Sequence, residues 1–279
     1  MTLSRSRTIR ESCKHLLLLG ILFFSFVPFA LMFIISFKDN DQFVANPWLP
    51  DPISAWHWEN WSKAWGVISP YIANSIVTSL AGVILCLVLA IPTSYVIARY
   101  RFRGRELVYY GFVITMFLPG GATALITTFK LISSLELVNS LWALIILAGT
   151  GGQIGCVFIL RQFIEDIPKE LFESAEIDGA GHVRQMTMIM VPLSGPILGT
   201  LAIMNFLGAW NNLLLPMVLM RDDAKLTIPV GLMRLDGEYV KMWGEMMAAY
   251  SIASIPLVII FLFSTRLFVR GLTAGAVKG

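Results

Sequence analysis

The polar side chains with most to offer inside the apolar part of this 279-residue chain are three amides and an indole: Asn205, Trp210, Asn211 and Asn212. An amide in hydrocarbon needs partners, from another helix, from water or from a solute. Asn205 and Asn212 are seven apart and share a helix face, while Asn211 is offset by one position, roughly 100°. Two roles fit. One is interhelical glue between subunits, worth about 0.6–2 kcal/mol per bond. The other is a path lining, where amides bond a hydroxyl-rich solute and the Trp210 ring stacks on it. The pattern leaves both open.

Catalytic chemistry has no such foothold. The three histidines, His15, His57 and His182, are dispersed, and Cys13, Cys86 and Cys156 have neither metal nor redox spacing. The cysteines read as small apolar residues. The glycine-rich stretch 271–278 ends near a lysine but lacks Gly-Lys-Ser/Thr and a preceding strand, so it is no phosphate-binding loop. An enzyme is not expected, nor a metal, nor a cofactor bound by this chain; if ATP supplies the energy, another chain must bind it. No Lys, Arg, Asp or Glu lies well inside an apolar run, so the usual signature of a proton or sodium relay is missing.

The elements that position these groups follow from hydropathy. Hydrophobic residues make up 56% of the chain and charged ones 14%, with mean hydropathy +0.72; soluble domains carry about 25% charged residues. Six apolar runs, 16–37, 74–98, 107–129, 140–160, 192–220 and 248–268, predict an all-α integral membrane protein with six transmembrane helices. The first follows a basic segment as a signal peptide would, but it is too long and no small-residue cleavage site follows, so an uncleaved span is expected. The resulting layout is an N-terminus at 1–14, a six-span body at 15–268 and a tail at 269–279. Leu118-Pro119-Gly120-Gly121 breaks the third run, either lining a path or ending the span near the interface. Trp48, Trp56, Trp58, Trp61 and Trp65 read as interfacial anchors, with a sugar-stacking surface as the alternative. Fourteen of the 21 Lys and Arg fall on the side of the termini and seven on the other. The positive-inside rule therefore predicts cytoplasmic termini, and loops 38–73, 130–139 and 220–247 outside the cytoplasm.

One polar interval, 161–191, is longer than a simple return across the membrane requires. Pro168 suits a first helical turn, Glu170 and Glu173 suit the positive end of a helix dipole, and Asp178-Gly179 suits a stop with a left-handed glycine. A second short segment runs on to Pro192. Leu171, Phe172 and Ala175 form an apolar ridge outside the bilayer, which calls for a partner. Small Ala175, Gly179 and Ala180 permit close backbone approach.

These residues resemble the inner-membrane permease subunit of bacterial ABC importers, in its carbohydrate-uptake branch, which includes the smaller permease of the maltose transporter. That family carries E-A-A-x-x-x-G followed some nine residues on by I-x-L-P. Here the pattern stands as Glu173-Ser174-Ala175-Glu176-Ile177-Asp178-Gly179 and Ile189-Met190-Val191-Pro192, departing at Ser174 and Val191. Leu160-Arg161-Gln162-Phe163, Ile167-Pro168, Trp210-Asn211 and the terminal glycine-rich tail are similar as well, so the likeness covers about 75–279.

The resemblance implies a type I importer permease fold. It implies a second permease subunit, two ATPase subunits holding ATP and Mg, and an extracytoplasmic solute-binding protein delivering a carbohydrate, with the lipid bilayer as surroundings and no nucleic acid as partner. It implies that Leu171, Phe172, Glu173, Ala175, Asp178, Gly179 and Ala180 belong to a coupling helix seated in the ATPase, and that loop 220–247 meets the binding protein. A bacterial inner-membrane location follows. A polyol or glycerol phosphate remains open as solute, as does a non-transporting scaffold or sensor.

Overall fold

A backbone crossing hydrocarbon must close its own hydrogen bonds, and the Leu, Ile, Ala and Met that fill the apolar runs all accept helix. The computed structural model describes the backbone of residues 2–117, 122–236 and 242–276, and every regular element among them is helical. The order is α1 (Thr2–Ile35), α2 (Asn40–Ala45), α3 (Glu59–Arg99), α4 (Arg105–Thr115), α5 (Ala122–Ser134), α6 (Leu141–Gly151) and α7 (Gln153–Glu165). Then come α8 (Glu170–Ile177), α9 (His182–Gln185), a π-helical turn (Met186–Met190), α10 (Val191–Leu193), α11 (Gly195–Trp210), α12 (Leu214–Leu219), α13 (Ile228–Asp236) and α14 (Trp243–Ala276).

Four segments are long and apolar enough to cross a bilayer: Lys14–Ile35, Glu59–Arg99, Leu141–Glu165 and Trp243–Phe263. A bent pair, His182–Leu193 with Gly195–Trp210, meets the same test at an angle of 79°. Four of the six expected spans therefore have a helix that satisfies length and composition, and a fifth does if the bent pair is one span. The third appears as α4 and α5, 11 and 13 residues long, each too short alone. Its Leu118-Pro119-Gly120-Gly121 break lies outside the described residues.

Several boundaries differ from expectation. The second helix starts at Glu59 rather than 74 and runs for 41 residues with Pro70 and Pro92 inside it. At 1.5 Å per residue it is about 60 Å long, twice a hydrocarbon core of about 30 Å, so its polar, tryptophan-rich start needs no lipid. The fourth span continues past 160 to Glu165, taking Arg161 into the helix. The fifth does not reach 220 as one helix: α11 stops at Trp210, and α12 begins after Asn211-Asn212-Leu213. Pro192 does not close the preceding segment but sits in the first turn of α10. The expected polar loop 220–247 holds the buried Leu226, Thr227 and Ile228 and then α13; its residues 237–241, Gly237 among them, lie outside the described residues.

The chain divides into two compact units. In the first, residues 1–69 and 232–255, aromatic rings enclose Phe37: Trp56 stacks at 4.5 Å, Trp58 meets it edge-on at 4.8 Å and Trp61 stacks at 5.5 Å. Three of the five tryptophans expected at the membrane interface thus pack on Phe37, although Trp58, like Trp48 and Trp65, remains exposed. Asn60 Nδ2 donates to the carbonyls of Ser36 and Lys38 at 3.1 and 2.9 Å, and the buried Lys38 ammonium pairs with Asp51.

The second unit, residues 70–231 and 256–279, has two cores. One gathers Cys86, Tyr95, Leu160, Ile164, Phe172, Met190 and Leu201, joining α3, α7, α8 and α11. The other joins Ile132, Leu144, Leu219, Leu226 and Val230. Its segment 220–228 is tied down by amides: Asn139 Oδ1 accepts from the Arg221 and Asp222 N–H groups at 3.1 Å, and Asn74 Nδ2 donates to the carbonyls of Ala224 and Leu226.

Close approach of α3 to α6 rests on missing side chains. A Cβ on Gly82 would lie 2.6 Å from the Ala148 Cβ, and one on Gly149 would lie 2.6 Å from Leu85 Cδ2. Small residues at such crossings let membrane helices gain van der Waals contact. Gly82→Ala is expected to destabilise the protein by about 1–3 kcal/mol through overpacking. Gly155→Ala, whose Cβ would meet nothing within 4 Å, is expected to be neutral. Thermal melting of the detergent-solubilised protein distinguishes them.

Candidate functional site

The interval between α7 and α11 is built outward from one ring. Helix α8 starts after Pro168, which stands one residue before the N-cap Lys169 and not in the first turn. Glu170 and Glu173 do occupy that turn. At the other end the chain forms a Schellman motif: Gly179 N–H donates to Glu176 O at 3.0 Å and Ala180 N–H to Ala175 O at 2.8 Å. Asp178 is the C-cap, and Gly179 has φ +78°, the left-handed conformation expected of it.

Phe172 is not part of an exposed ridge. It is 2% exposed, belongs to the core, and lies 6.4 Å from the Tyr95 ring with the Arg99 guanidinium carbon 3.9 Å above its own. The position that looked like a docking contact is therefore the anchor of α8. The outer face carries Leu171, Glu173, Ser174 and Asp178, all exposed, with Ala175 and Ala180 half-buried. Apolar exposure is greatest at Ile177, 87%, and Val183; both fell outside the expected set, because an i, i+1, i+4 ridge chosen around Phe172 points the other way.

Polar groups hold the remainder of the loop. Buried Gln185 accepts from the Tyr95 hydroxyl at 3.1 Å and donates to Ala180 O at 3.0 Å. Tyr100 packs edge-on against His182 at 4.9 Å. Burial, with the Glu176 carboxylate nearby, pushes the Tyr100 phenol above its ordinary range. Arg161, counted among the free loop charges, is buried on α7: it bonds Glu165 at 3.0 Å and Glu106 at 3.2 Å and lies 3.6 Å over the Tyr109 ring. Paired with two carboxylates through Nε and Nη2, and with Nη1 left without a partner among the described residues, this guanidinium fixes α4 to α7, whereas an unpaired one would be costly.

A cavity of about 300 Å³ lies among α3, α6, α11, α12 and residue 227, within the second unit. Asn205 and Asn212 both line it, yet they do not share a helix face, since α11 has ended at Trp210. Asn205 is tied inward: its Nδ2 donates to Leu201 O at 2.8 Å and meets Cys156 Sγ at 3.0 Å, and Cys86 Sγ lies 3.7 Å from its Oδ1. A Cβ on Gly152 would collide with that Oδ1 at 1.6 Å. Asn205 thus acts as glue inside one subunit. Asn212 Oδ1 accepts from Leu215 N–H at 3.2 Å, satisfying the start of α12. Asn211 is exposed at the C-cap of α11, and Trp210 is buried and stacked on Phe206 at 5.4 Å, away from the cavity lining. Thr78, within α3, and Thr227, just before α13, also line the cavity; sequence reading missed both, because a lone threonine carries no pattern.

The matching family is the binding-protein-dependent transport system inner membrane component, over residues 82–274. The chain belongs to this family: it is a permease of a binding-protein-dependent ABC importer. It is 32% identical over 274 residues to the diacetylchitobiose uptake system permease protein DasC of Streptomyces coelicolor, covering 94% of each chain. It is 32% identical over 272 residues to the arabinooligosaccharides transport system permease protein AraQ of Halalkalibacterium halodurans, covering 95% of this chain and 96% of the other. A chain in a crystal structure of a bacterial ABC transporter that imports the acidic polysaccharide alginate has the same fold, with TM-score 0.83 at 21% identity over 94% of this chain and 97% of the other.

Phe172→Ala is expected to cost about 3–5 kcal/mol locally, the range for deleting a buried aromatic. Amide hydrogen exchange in 170–185 should accelerate while α6 and α11 stay protected.

Proposed function

We propose that this chain forms half of the path for a sugar or oligosaccharide and passes the ATPase stroke to that path through α8. The observation that carries the coupling part is the construction of the loop. A helix with a mostly polar, exposed outer face is fixed at its inner face by Phe172 and at its end by the left-handed Gly179. Such a short, doubly fixed element transmits displacement instead of absorbing it. Leu171, Ile177 and Val183 offer the ATPase an apolar contact, with Glu173 and Asp178 as its polar neighbours. ATP and Mg²⁺ belong to that partner. Displacement of α8 would bias α7 and α11, to which it is packed, between inward- and outward-facing states.

The carbohydrate part is supported by the diacetylchitobiose and arabinooligosaccharide systems named for the relatives. The complete assembly would be this permease, a second permease, two ATPase subunits and an extracytoplasmic binding protein. The charge asymmetry supports cytoplasmic termini with 161–191 on the same side. The six-span body at 15–268, the outer loops and the tail at 269–279 keep the same assignment.

Gly179→Pro tests the lever, because a ring locking φ near −65° cannot take +78°. Proteoliposomes of the full importer carrying this variant should retain normal amounts of the chain but lose sugar uptake and the rise in ATP hydrolysis caused by loaded binding protein. Uptake at the wild-type rate refutes the coupling assignment.

A further inference from the structure

We propose that the turn between α3 and α4 binds an anionic glycerophospholipid, with its phosphate on Arg101 and Arg103 and an acyl chain along the bare face of α4. Five residues, Tyr100 to Gly104, join the two helices. The arginines at and around this turn divide by their partners. Arg99 lies over the Phe172 ring, and Arg105 bonds Glu165 at 2.7 Å. Arg101 and Arg103 are exposed and make no hydrogen bond, ion pair or ring contact among the described residues. Glu106, the nearest acid in sequence, is already engaged: its Oε1 lies 3.2 Å from Arg161 Nη2 and 3.4 Å from Arg105 Nε. Two cations are thus left for an outside anion, and guanidinium groups match phosphate oxygens in geometry as well as charge.

The surroundings say that this anion carries a hydrocarbon tail. Arg101 and Arg103 border an open groove of about 500 Å³ together with Phe102 and Leu107. Phe102 is 41% exposed between the two cations, an arrangement suited to the boundary between headgroups and acyl chains. From Leu107 onward α4 has two different faces. Tyr109 and Phe112 pack against the core, whereas Leu107, Tyr110 and Ile114 are all exposed. Their spacing of three and then four residues puts them in one stripe, about 10 Å long at 1.5 Å per residue. Cations come first, at the end of two apolar helices, and the stripe then runs into the apolar segment. That is the order of groups in a phospholipid, and a free phosphate would leave the stripe unused. Tyr100, in the same turn, packs on His182, so the lipid would sit beside the end of α3 on which α8 is seated.

The proposal rests on the membrane placement of α3 and α4 given above, but not on which leaflet the turn faces, nor on the solute. The test uses the full importer carrying Phe102→Trp, reconstituted in phosphatidylcholine vesicles. Quenching of the added tryptophan is followed as brominated phosphatidylglycerol or brominated phosphatidylcholine is mixed into both leaflets, and the signal of the importer without the substitution is subtracted. Phosphatidylglycerol should reach half-quenching at a much lower mole fraction. An arginine near an anionic surface contributes about fivefold, about 1 kcal/mol. Arg101→Gln should therefore raise that mole fraction about fivefold, and Arg101→Gln with Arg103→Gln should make the two lipids equal. Leu107→Trp reports on the same groove if the Phe102 variant does not accumulate. Equal quenching by the two lipids with both arginines present overturns the anionic site. A preference that survives the double glutamine change overturns its assignment to these residues. Quenching by neither lipid shows the turn covered by protein, a second permease or an ATPase, and overturns lipid as the occupant. Because each lipid is in both leaflets, a chain oriented opposite to the cytoplasmic assignment still gives the expected result, so failure of that assignment and failure of the site are separable.

Discussion

A helix of only eight residues outside the long apolar runs needs an anchor, and for α8 that anchor is the ring of Phe172. It enters the core made by α3, α7 and the π-helical turn, and the Arg99 guanidinium closes over it. Cation–π contacts contribute about 0.5–2 kcal/mol, less than burial of the ring itself. The guanidinium does something burial alone does not, because it places a charged group of α3 directly on a residue of α8. Gln185 adds a second tie from the same helix, through the Tyr95 hydroxyl. The last turns of α3, the start of α9 and the body of α8 are thereby one packed object, and that makes a lever of eight residues mechanically plausible.

Much of this was legible in the residues. Glycine after aspartate at the end of a short acidic helix predicts a left-handed cap on stereochemical grounds, and Gly179 takes it. Apolar runs longer than about 18 residues give helices wherever they occur. What escaped was direction. Period alone does not say which side of α8 is inside, because Leu171 and Phe172 are neighbours separated by only about 100° around the axis. Which of them is buried depends on Tyr95 and Arg99, more than seventy positions earlier. The tryptophans show a related limit. Composition marks them as suited to an interface, but Phe37 is what they find first. The start of α3 was missed where Pro70 lies inside the long helix, whereas Pro92 falls within the expected span.

The amides near the end of α11 show how two demands on polar groups are separated in apolar surroundings. A side chain that holds helices together must spend its hydrogen bonds, and one that meets a passing solute must keep some in reserve. Asn205 has spent its own on Leu201 and Cys156, in space that the missing side chain of Gly152 leaves for its amide. Trp210 has spent its face on Phe206. Reserve capacity sits instead a few ångströms of chain further on, where α11 has ended and regular geometry no longer dictates partners. Irregular backbone at membrane depth is tolerated only when buried in protein or lining a cavity. The break at 211–213 lines a cavity, and the segment before α13 meets it there, so that Asn212 and Thr227 both belong to the same lining. Rigid helices supply the frame, and the interruptions between them add polar residues to the same lining.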